Sequence, residues 1–159
     1  DLKKILLSIL TLSLASLGAQ DAAVAEKDVP KKVIASRNKK AAALKHKTAT
    51  WTKNAAGEFV VTRDIGKSPV EGPEQSVTAR FQEDGTWIAT ETVLNAYSDK
   101  LKKKMVPRNI QAACAKKSDG GPAMMGGVTI TDTPKGKTFE MGCGGPRFTF
   151  DAKGKVVGE

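Results

Sequence analysis

The chain has 159 residues, the size of about one domain, with 26 lysines and arginines against 17 carboxylates for a net charge of +9. Aromatic residues make up only 5% of it, so its core must rest on Val, Ile and Ala with a few Phe and Trp. One histidine and two cysteines leave too few ligands for a clustered metal site and too few bases for ordinary nucleophilic catalysis.

Residues 1–25 read as a signal peptide and leader. Lys3 and Lys4 form a positive start, Ile5 to Leu17 is apolar apart from Ser and Thr, and Ala19 or Ala23-Val24-Ala25 offers a cleavage end. The apolar run is shorter than the roughly 20 residues that span a bilayer. A buried core helix is the rival reading of that run. No Cys stands near the cleavage site, so no lipid anchor is expected, and no later segment is apolar enough to cross a membrane. The expectation is therefore a periplasmic or secreted protein with a folded domain over 26–159.

After a flexible leader over 20–28, a helix is predicted, with Asp28 as N-cap and Pro30 in the first turn. Val33, Arg37, Ala41 and Leu44 form its buried stripe. Thr50-Trp51-Thr52 and Phe59-Val60-Val61-Thr62 are β-prone and flank a turn over Asn54 to Gly57. Residues 66–75 carry two Gly and two Pro and read as a loop. Val77, Ala79 and Phe81 then alternate with polar neighbours, Glu83-Asp84-Gly85 turns the chain, and Trp87, Ala89 and Glu91 continue the next strand. On that reading Thr78, Arg80 and Gln82 share a polar sheet face with Ile88, Thr90 and Thr92. Such a face suits a partner, because Ile88 would otherwise lie bare.

Lys100, Lys102, Lys103 and Lys104 form a charge run, either a solvated face or a contact for anionic lipid or an acidic partner. Beyond it the plan repeats. Val106-Pro107 with Ile110 echoes Val29-Pro30 with Val33 at an offset of 77, and Val128 to Thr131 echoes Ala49 to Thr52 at an offset of 79. Phe139-Glu140-Met141 then follows a turn as Phe59-Val60-Val61 does, and Phe148-Thr149-Phe150 runs into a Lys-Gly turn. Lys155-Val156-Val157 closes the last strand.

Cys114 falls on the second helix and Cys143 at a strand end, and outside the cytoplasm an even pair is usually a disulfide. As a nucleophile or redox centre the pair lacks CxxC spacing and a matching base. The fold class is α+β: two tandem helix-plus-antiparallel-sheet units, about 28–94 and 105–159, forming a single sheet with helices packed on one face.

Phe81-Gln82-Glu83-Asp84-Gly85-Thr86-Trp87, running on to Thr90-Glu91, resembles the F-x-x-D-G-x-W-x-x-T-E stretch of PepSY-like proteins, also described as similar to beta-lactamase inhibitors. The Val-Pro helix, the Trp51 hairpin and Phe150-Asp151-Ala152-Lys153-Gly154-Lys155-Val156 fit the same plan, so the resemblance spans 28–159. It implies an exported, non-enzymatic inhibitor or regulatory binder that holds a protein or peptide through an open sheet face.

Catalysis finds no support in the residues. His46 lies between Lys45 and Lys47 near a helix end, where its charge would favour the last carbonyls. Met105, Met124, Met125 and Met141 could suggest a soft metal but read better as filler. The paired glycines at 120–121 and 126–127 lack the strand–loop–helix setting and GK[ST] of a phosphate loop. No cofactor, metal or nucleic acid is expected. An anionic envelope surface, such as lipid headgroups or lipopolysaccharide, is the alternative partner, met by the basic residues.

Overall fold

Three chain reversals share one design. In Asn54–Glu58, Gln82–Thr86 and Asp151–Lys155, the first residue's N–H donates to the fifth residue's carbonyl at 3.0, 2.8 and 2.9 Å. The fourth residue is glycine each time, at φ 79, 91 and 84°, a left-handed conformation that costs other residues energy. Asn54 Oδ1 accepts from the N–H groups of Ala56 and Glu58, and Asp151 Oδ1 from those of Lys153 and Lys155. Such bonds favour the ionised form. The Lys155 N–H at Asp151 and the Thr86 N–H at Asp84 hold both carboxyls below their ordinary value.

Gly85 is tighter than its counterpart Gly57. A Cβ on Gly85 would stand 2.8 Å from the Lys32 carbonyl oxygen, whereas at Gly57 it meets only the end of the Lys53 side chain at 3.9 Å. Gly57→Ala is expected to cost about 1 kcal/mol for φ alone, and Gly85→Ala about 2–3 kcal/mol because helix and turn must also separate. Urea denaturation of both variants checks this, and equal costs would contradict it.

The computed structural model describes residues 21–66, 75–96, 99–118 and 125–158. The signal-like stretch 1–20, most of the loop predicted over 66–75, and Met124 with residues 120–123 lie outside the described residues. The strands form one eight-stranded sheet, each antiparallel to the next in sequence order. The strands are β1 Ala22–Val24, β2 Thr50–Lys53, β3 Phe59–Gly66, β4 Gln75–Phe81, β5 Trp87–Leu94, β6 Met125–Thr133, β7 Gly136–Cys143 and β8 Arg147–Asp151. The helices are α1 Lys31–Lys40, α2 Asp99–Met105 and α3 Arg108–Lys117. The protein is thus α+β with a single antiparallel sheet.

Strand alternation sends one set of side chains under the helices. Val33 and Arg37 of α1, with Ala41 and Leu44 just beyond it, are buried, and the three apolar members pack with Trp51, Phe59, Val61, Ala79 and Phe81. Ile110 and Cys114 of α3 pack on Ile130, Phe139, Met141 and Phe150. The register Val77↔Thr92↔Ile130 joins the two sets on one face of the sheet. Each of α1 and α3 follows a proline N-cap, Pro30 and Pro107, whose carbonyls accept the first helical N–H bonds.

Several sequence expectations change. Residues 22–24, assigned to the leader, form β1 against β2, so cleavage after Ala25 would remove a strand that cleavage after Ala19 would keep. The N-cap of α1 is Pro30, and Asp28 lies in a 3-10 turn before it. The lysine run, to which the sequence assigned no element, forms α2. Met125 to Gly127, read from the sequence as filler and a glycine pair, begin β6 through an irregular register. The closing strand is reduced to one bridge, Phe150↔Val156.

Candidate functional site

The helices cover one sheet face, so the other is built wholly from the residues that alternation turns away from the core. One row across it reads Thr50, Thr62, Thr78, Glu91, Thr131, Thr138 and Asp151. The next reads Asp64, Ser76, Val93, Thr129, Glu140 and Thr149. A third carries Thr52, Val60, Arg80 and Ala89. Threonine suits such a surface: its branched Cβ favours the strand, while its hydroxyl and methyl offer both polar and apolar contact. Thr62 and Thr78 already share a hydroxyl–hydroxyl bond of 3.0 Å. Arg80 pairs with Glu58 at 3.2 Å and Arg147 with Glu140 at 3.1 Å, while Asp64 and Glu91 stand exposed on the same face, so its carboxylates outnumber its arginines.

Of the six predicted sheet-face residues, Thr78 and Arg80 lie here. Gln82 lies in the turn instead. Thr90 and Thr92 are on the helix side, in register with Ala79 and Val77. The cause is a bulge: Arg80 pairs with Ala89 but Phe81 with Trp87, leaving Ile88 as the extra, half-buried residue. One added residue inverts the alternation of the rest of β5. Glu91 and Val93 take the places expected of Thr90 and Thr92. The threonines of β6, β7 and β8 complete the surface, and the alternation of Val128-Thr129-Ile130-Thr131 was the signal that could have found them.

Thr90 and Thr92 instead floor a small cleft of about 210 Å³ with Ile130 and Phe139, walled by Met105 and Pro107. Thr90 Oγ1 accepts from Trp87 Nε1 at 3.0 Å, and an Asp132–Lys137 pair at 3.4 Å closes one side.

The basic residues separate just as sharply. α1 exposes Lys31, Lys32, Lys39 and Lys40, α2 Lys100, Lys103 and Lys104, and α3 Arg108, Lys116 and Lys117. Lys102 departs from the predicted patch. Its side chain is fully buried, and its Nζ donates to the carbonyls of Ala96 at 2.6 Å and Gly126 at 3.4 Å, with Asp99 at 3.2 Å. It ties α2 to the strand ends and offers nothing to a partner.

Cys114 of α3 and Cys143 at the end of β7 form the disulfide, both with no exposed surface. His46 is exposed, and its Nδ1 accepts from the Thr48 N–H at 3.2 Å. Met105 and Met141 pack in the second core cluster. Among the described residues no three His, Cys, Asp or Glu side chains gather to hold a metal ion, and no helix is long and apolar enough to cross a membrane.

The chain matches no protein-family model and no curated protein. Its fold is similar to a crystal structure from Bacteroides eggerthii of a protein provisionally assigned to the periplasm. The two share 18% identity at a TM-score of 0.50, over 82% of this chain and 86% of that one. At that identity the likeness speaks for the fold alone.

Proposed function

We propose that this chain is an exported binding module that holds a protein partner against its open sheet face and so inhibits or regulates it, without a cofactor. The observation that carries this reading is the contrast between the two faces. One is covered by helices; the other is a broad, threonine-rich surface that no described element covers. A surface of threonine hydroxyls and methyls offers a protein partner polar and apolar contact together. The signal-like residues 1–19 and the provisional address of the similar fold support a periplasmic or secreted location.

Kinship with PepSY-like proteins belongs to the same proposal. Pro30 and Pro107 each cap a helix, and Gly85 and Gly154 each stand fourth in a turn at positive φ, which supports reading the chain as two helix-and-hairpin units. A tandem of that kind would make the open face continuous across both units. A second reading rests on the exposed lysines of the helix layer, which would bind an anionic envelope surface such as lipid headgroups.

Affinity capture of the oxidised protein from envelope extract, at low and high salt, tests the choice. One protein retained at high salt supports the sheet-face reading, because packed contacts are weakly screened. Capture of lipid or mixed acidic material alone, lost with salt, overturns it in favour of the helix layer.

A further inference from the structure

A solvent-open cavity of about 670 Å³ lies between α3 and the last hairpin, within the size range of small-molecule sites. Phe150 and Val156 floor it, Ala113 of α3 walls it, and Lys116, Lys153 and Lys155 stand at its rim with Lys117. None of these four lysines forms a salt bridge among the described residues. The nearby Asp151 carboxylate is engaged by the N–H groups of its own turn.

The first half of the chain shows what fills such a space. There Phe81 is in register with Trp87, and Gly85 abuts the Lys32 carbonyl of the helix. Here Phe150 bridges to Val156, and Gly154 abuts the Asn109 carbonyl. Val156 therefore stands where the first half has Trp87. The Trp87 ring is capped by Lys40, whose Nζ is 5.3 Å from the ring centroid. Lys117, at the matching point of α3, caps Phe148 instead at 5.2 Å. The place that the Trp87 indole holds in the first half is thus part of the open cavity here, with lysines around it.

We infer that this cavity binds a flat apolar anion: an aromatic ring placed where Trp87 sits in the first half, with an acidic substituent meeting the lysines. Ring and charge are both required, because Phe150 and Val156 reward burial of the ring while the lysines select its charge. The inference rests on the match between the two helix–hairpin pairs and not on the open-face reading, so either can fail alone.

Fluorescence titration of the full oxidised chain with anilinonaphthalene sulfonate, beside its neutral analogue phenylnaphthylamine, provides the test. Saturable binding of the sulfonate and much weaker binding of the neutral ring are expected. Val156→Trp should abolish binding by placing its own indole where the ligand ring would lie, with the thermal melt reporting its fold. Lys153→Glu with Lys155→Glu, both on exposed turn positions, should weaken binding about tenfold or more. Equal affinity for the neutral ring, or binding unchanged by the lysine reversals, would overturn the inference, as would unchanged binding by folded Val156→Trp.

Discussion

Removing the Cys114–Cys143 bridge is expected to cost about 3–4 kcal/mol, because it closes a loop with a sequence separation of 29. That is a large share of the stability of a domain this size. The loss should fall unevenly. The first core cluster has Trp51, Phe59 and Phe81 to hold α1, whereas the bridge joins α3 to β7 within the second. Both tryptophans pack in the first cluster, so their fluorescence reports that half, while far-ultraviolet circular dichroism reports the whole. In Cys114→Ser with Cys143→Ser, the dichroism transition should begin at lower denaturant than the fluorescence transition. Coincident transitions at the wild-type midpoint would contradict this.

Arg37→Ala should rank next, at about 2–3 kcal/mol. Arg37 is only 2% exposed although it belongs to a basic helix. Its guanidinium donates to the Leu44 carbonyl at 3.3 Å, to Glu26 at 3.1 Å and to Asn38 at 2.9 Å, and lies 5.7 Å from the Trp51 ring centroid. Truncation would leave the Leu44 carbonyl to the His46 N–H alone, at 3.0 Å, and would uncover the indole. Lysine should not restore the loss, since it lacks the planar fork that meets these groups together. Glu26→Ala should cost less than about 1 kcal/mol, because that carboxylate is more than half exposed. Urea midpoints of the three variants check the order, and a loss from Glu26→Ala matching that from Arg37→Ala would reverse the account.

Much of this architecture was legible because local signals agreed with global packing. The stripe Val33, Arg37, Ala41 and Leu44 has helical spacing, and all four residues are buried. Asp-Gly and Lys-Gly marked real reversals, and the two cysteines joined helix to sheet as their positions suggested. The candidate face was only half legible. Thr, Ile and Trp are all good strand residues, so Trp87-Ile88-Ala89-Thr90 carries no local mark of the bulge that turns Thr90 and Thr92 inward. Lys102 was hidden differently. Nothing in a run of lysines says which of them will meet two strand-end carbonyls once α2 packs down. β1 has three small residues, and its strand identity depends on the free edge of β2 beside it.

Site-directed photo-crosslinking to the captured partner tests the central claim most directly. A photoreactive residue is placed in turn at Thr78 and Thr131 on the open face, and at Lys31 and Lys104 on the helix layer. The sheet-face reading predicts adducts from Thr78 and Thr131 and none from Lys31 or Lys104. Adducts confined to Lys31 and Lys104 would contradict it and assign the contact to the basic helices.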